Sequence, residues 1–113
     1  MKVGMITEKI SLTEEQAKGF WPIYNRFDAE KRQVNQTIRE QMRAEARGSE
    51  QAEIARQDAI FKLRQQEVEL AKKYRPEFLK VISASQYSDL LLAEKEFNQM
   101  LLRELRERRN SRN

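Results

Sequence analysis

Apolar side chains return every three, four or seven residues along most of this chain, and almost nothing interrupts them. Three glycines and two prolines in 113 residues leave few places for a turn to be written. A stripe at that spacing is what an amphipathic helix needs to bury one face. Gln, Glu, Arg, Lys, Ala and Leu dominate, all of them good helix formers, and strand signals are nearly absent. The chain is therefore predicted to be all-α. Its length fits a single helical domain, residues 1–113. An apolar fraction of 39% against a charged fraction of 35% suits long helices that expose much of their circumference.

The spacing predicts four segments. Residues 1–10 read as a short helix with Met5, Ile6 and Ile10 on one side. A long helix follows over 13–47, with a stripe at Phe20, Tyr24, Phe27, Val34, Ile38 and Met42. Lys31 fills one stripe position with its aliphatic stem. Pro22 inside that run predicts a bend near Phe20-Trp21. Arg47-Gly48-Ser49 reads as the stop and the next start. The next long helix spans 49–82, with Ile54, Phe61 and Val68 at heptad spacing, Ile60, Leu63, Leu70 and Tyr74 beside them, and a kink near Pro76. The last helix, 83–109, carries Tyr87, Leu90, Leu91, Phe97, Leu101 and Leu105, widened by Leu92, Met100 and Leu102. The rods are expected to fold back at Gly48 and again near Ile82, giving an elongated antiparallel hairpin.

Two helix starts echo each other. In Leu12-Thr13-x-x-Gln16 the hydroxyl can cap the helix while Gln16, three residues on, reaches back to the cap. Ile82-Ser83-x-x-Gln86 repeats the pattern at an offset of 70 residues. Downstream, Phe20 aligns with Leu90 and Phe27 with Phe97. Any two capped amphipathic helices could align this way, so the echo alone leaves a true repeat and a coincidence both open.

Leu12-Thr13-Glu14-Glu15-Gln16 resembles the LTxxQ signature of the Spy/CpxP periplasmic family. Together with Phe20-Trp21-Pro22-x-Tyr24, the run to Phe27, the second cap at Gln86 and Ala93-Glu94-Lys95-Glu96-Phe97, it is similar to a Bacteroidetes branch of that family. Members of the branch are often described as sensors of ECF-type sigma factors. The resemblance extends from about Ile6 to Arg108. It implies a helical hairpin, a cradle-shaped homodimer, export to the periplasm, and work as an ATP-independent chaperone or a stress-signalling accessory protein. No secretory signal is visible, and the start Met1-Lys2-Val3-Gly4-Met5 reads as a trimmed or engineered beginning. The second motif reads Ile-Ser where Leu-Thr is usual, which keeps the chemistry of the cap. Related metal-sensing proteins use His-rich ligands; this chain has no His, and that activity does not carry over.

With no Cys and no His, thiol nucleophiles, imidazole bases and the usual Zn or Cu sites are excluded. No Gly-rich phosphate loop is present, and no cofactor or small-molecule substrate is implied. Glu94 falls inside the apolar stripe of the last helix, where a carboxylate must be paired. A structural ion pair or hydrogen bond is expected there, for example with an Arg or Tyr of the first long helix. Without a nucleophile or oxyanion donor beside it, no catalytic role is assigned and the chain is not read as an enzyme. Trp21, beside Phe20 and Tyr24, serves either the core at the bend or a partner as an aromatic anchor. Arg39, Arg43, Arg47 and Arg56 are solvated surface in the plainest reading and client-facing cations in the chaperone reading.

The net charge of +4 is mild and interleaved, except at the Arg-rich tail from Arg103. Three functions follow: a protein-binding chaperone with many clients, a signalling partner with one cognate protein, and, remotely, a nucleic-acid-binding hairpin using the tail. No run is long and apolar enough to span a membrane.

Overall fold

The computed structural model describes residues 2–43 and 48–111. These form four helices, α1 (Lys2–Lys9), α2 (Glu14–Arg43), α3 (Glu50–Leu79) and α4 (Ala84–Ser111), and no strand among the described residues. The chain is all-α. Arg47 and the expected end of the first long helix lie outside the described residues. Ser49 caps α3, its Oγ accepting from the Ala52 amide at 3.2 Å.

Neither proline ends its helix. Pro22 and Pro76 both lie inside continuous α-helix. Pro22 still acts as an acceptor, its carbonyl taking a hydrogen bond from Arg26 Nε at 3.4 Å. The second long helix stops at Leu79, short of the expected Ile82, because Lys80, Val81 and Ile82 make the turn that leads into the cap at Ser83.

The helices sort into two compact units. The first combines residues 1–20 with 79–113. Its core is Ile6, Ile10, Phe20, Ile82, Leu90 and Ala93, all buried, with Phe20 and Ala93 at 0% exposure. α1 packs on α4. Lys2 and Lys9, seven residues apart, reach Glu94 and Glu96, only two apart, at 3.6 and 2.9 Å. α1 ends in a Schellman turn: the Leu12 amide donates to the Thr7 carbonyl at 3.0 Å and the Ser11 amide to Glu8 at 3.2 Å. Ser11 takes the left-handed position of that turn, at φ 53°.

The second unit, residues 21–78, is an antiparallel pairing of α2 and α3. Arg26 meets Glu77 at 3.1 Å, and Glu30, four residues on, meets Lys73, four residues back, at 3.7 Å. Ile23, Tyr24, Ile38, Tyr74 and Phe78 are its buried residues. Phe27 stands edge-on to Tyr74 and Phe78, with centroids 5.5 and 6.0 Å apart. The α3 seam differs from the expected one. Its covered side runs through Glu53, Arg56, Ile60, Leu63, Glu67, Leu70, Tyr74 and Phe78, while the heptad line Ile54, Phe61, Val68 faces solvent. Both lines satisfy a helical period. Tyr74 and Phe78, large residues at the helix end, decide which one packs.

Candidate functional site

The two echoed caps meet in the first unit. Thr13 Oγ1 accepts from the Gln16 amide and Gln16 Oε1 accepts from the Thr13 amide, each at 3.1 Å. Ser83 and Gln86 exchange the same two bonds at 3.0 and 2.9 Å. Each box satisfies two amides that a helix start leaves open. The glutamines then bond to each other: Gln16 Nε2 donates to Gln86 Oε1 at 2.9 Å, and Gln86 Nε2 donates to Gln16 Oε1 at 3.0 Å. Their second amide hydrogens go to the turns before the opposite helices, Gln86 to the Ile10 carbonyl at 3.0 Å and Gln16 to Val81 at 3.4 Å. Only an amide can do this, because each side chain must accept twice and donate twice. Ile82 is buried and Leu12 half-buried beside the pair. The offset of 70 residues in sequence is a pseudo-symmetric clasp in space.

Gly19, one turn past Gln16, sits against Val81. A Cβ there would meet both Val81 methyl carbons at 3.3 Å. The sequence offers this helical glycine as the clue to a close approach.

The large apolar side chains left in water form the second feature. On α3 these are Ile54, Phe61, Val68 and, at its end, Leu79, with Phe61 67% exposed. On α4 the expected stripe holds only in part. Leu90 is buried and Tyr87 and Phe97 are half-buried, but Leu91, Leu92, Met100, Leu101, Leu102 and Leu105 are exposed. Past Phe97 the reason is length: α1 is only eight residues long and covers α4 no further than about that residue, while Leu91 and Leu92 lie off the buried line of Leu90, Ala93 and Glu94.

Of the aromatic anchors, Phe20 and Tyr24 are buried. Trp21 is half-buried and stands edge-on to Tyr24, with centroids 5.5 Å apart. Phe27 and Phe97 are half-buried, each with a lysine above its ring: Lys31 at 5.7 Å and Lys2 at 5.3 Å.

Glu94 is 8% exposed, and Lys2 of α1 supplies a cation beside it. Lys2 Nζ lies 3.6 Å from Oε2, ion-pair range but long for a hydrogen bond. Lys2, near the chain start, carried no signal of this role in the sequence. Arg39 and Arg43 are exposed. Arg56 is instead half-buried on the covered side of α3, 3.4 Å from Glu53.

Tyr74 and Lys9 titrate away from their ordinary values. The Glu30 carboxylate accepts the Tyr74 hydroxyl, which raises the Tyr74 pKa above 10.0, with burial adding to the effect. The hydrogen bond and charge of Glu96 raise Lys9 above 10.5. Neither lies near neutrality. No group of three or more metal-ligating side chains occurs among the described residues.

Compared with known proteins, the chain matches no family model, no curated protein and no solved structure.

Proposed function

We propose that this chain is a periplasmic helical protein-binding module of the Spy/CpxP kind, acting as an ATP-independent chaperone or envelope-stress accessory protein and pairing as a homodimer. The observation that carries the reading is the exposed line Ile54, Phe61, Val68. A folded helix that holds three large apolar side chains in water at one spacing offers a docking strip. The clasped Thr13–Gln16 and Ser83–Gln86 boxes support the family resemblance at its signature residues. Capture is reversible: apolar side chains touch exposed hydrophobic segments, while exposed cations such as Arg39 and Arg43 steer acidic, partly unfolded clients. Binding is then weak and salt-sensitive.

The test is aggregation of an unfolding client without ATP, with the chain in several-fold molar excess. Suppression is expected, and Phe61→Ser should weaken it without unfolding the chain. Unchanged aggregation rejects the chaperone reading. Mass determination in solution tests the homodimer.

The heptad spacing of the same line also favours a second reading, a dedicated signalling partner. Residues repeating every seventh position suit one cognate helix. Saturable 1:1 binding to a single envelope protein, with no effect on aggregating clients, selects it.

A further inference from the structure

From Asn98 to Asn110 every side chain of α4 is exposed. At about 100° per residue, Leu91, Leu101, Leu102 and Leu105 fall within one arc of about 100°, with Asn98 in its middle. The charges of this stretch are segregated around that arc. Arg108 sits at one border, Lys95 and Arg106 at the other, and Arg109 continues the leucine line toward the C-terminus. Glu104 and Glu107 fall on the far half of the helix, with Arg103. Glu94 lies within the arc at its inner end, but it is buried and faces Lys2 at 3.6 Å. Apart from Asn98, the free face of α4 between Leu91 and Leu105 is therefore a leucine strip with cations at both edges and Arg109 at its C-terminal end.

We propose that this face of α4 docks on an anionic lipid surface. A strip with leucines in the middle and cations at both borders matches the boundary between acyl chains and phosphate headgroups. The leucines enter the apolar side, while the long Arg and Lys side chains reach back to the phosphates. From Leu91 to Leu105 the strip is about 21 Å long and lies in the plane of the membrane. No helix among the described residues is long and apolar enough to cross one. The same charge pattern disfavours other occupants. A second copy of this face would bring cations against cations along both borders. A nucleic-acid backbone would take up the arginines and leave the leucines in water.

The experiment is flotation of the full chain with vesicles, either of pure phosphatidylcholine or of equal parts phosphatidylcholine and phosphatidylglycerol. The anionic vesicles should bind at least about tenfold more tightly, and about 0.5 M sodium chloride should release the protein. Leu102→Gln with Leu105→Gln, on a chain whose helicity is unchanged by circular dichroism, should lower binding about tenfold or more. Phe61→Ser on α3 should leave it intact. Equal binding to both vesicle types, no binding to the anionic ones, or indifference to the double leucine substitution overturns the proposal. Loss of a dimer in the double variant, with no vesicle binding by either protein, assigns the face to a second copy instead.

Discussion

Gln86 serves three partners with one side chain: its own cap, the opposite glutamine, and the turn carbonyl of Ile10. Gln86→Ala strips partners from all three and should cost roughly 2 kcal/mol in denaturant unfolding. Gln16→Glu is sharper. A carboxylate can only accept, so it would face Gln86 Oε1 and the Val81 carbonyl without a proton to give. This variant should be less stable than wild type at neutral pH, and the deficit should shrink below about pH 4, where the introduced carboxyl is protonated and donates again. A deficit independent of pH would count against the clasp. Ser11 offers a gain. It holds a left-handed conformation at φ 53° that glycine adopts freely, so Ser11→Gly should raise stability by about 0.5 to 1 kcal/mol by thermal melting. Both capping boxes were legible as short patterns of hydroxyl and glutamine. Their mutual bond was not, because the sequence shows a repeat but not that its two copies touch. Ser11 was hidden too: a left-handed turn residue is recognised in sequence when it is Gly or Asn.

At the scale of the helix, periodicity gives a face but not its partner. α3 carries two apolar lines, and the spacing alone favoured Ile54, Phe61 and Val68. The packed line instead mixes Glu53, Arg56 and Glu67 with its apolar members, because Tyr74 and Phe78 pack against Phe27. Charged residues on a covered seam blur its signal. The seam also predicts an alkaline weakness. The folded chain holds the Tyr74 proton above its ordinary pKa of 10.0, so the stabilisation from its bond to Glu30 is complete below that value. It is lost as pH rises through the folded pKa. Lys9, raised by Glu96, acts in the same direction. Tyr74→Phe should lower stability at pH 8 by about 1 kcal/mol and flatten the decline above pH 10, as read by far-ultraviolet circular dichroism against pH. At Gly19 the limit is space. Gly19→Leu should cost roughly 2 kcal/mol, since Val81 already stands at contact with any added Cβ.

Across the whole chain, the two units differ in how their sequence is arranged. Residues 21–78 are continuous, whereas the other unit joins residues 1–20 to residues 79–113. The all-α class and the four segments were readable from spacing and caps. The division itself was not read from the sequence, although one boundary, after Phe20, falls beside Gly19 inside α2 and the other, after Phe78, falls at the end of α3. Both prolines stand inside continuous helix, and each lies within two residues of a boundary between the units, Pro22 just past Phe20-Trp21 and Pro76 just before Phe78.

The clasp therefore has a meaning in time as well as in space. During synthesis Gln16 emerges long before Gln86, and the core that Ile6, Ile10 and Phe20 share with Ile82, Leu90 and Ala93 is complete only when the final third of the polypeptide arrives. The beginning of the molecule closes its core only with its end, so a helper that meets the growing chain meets it before that core is complete.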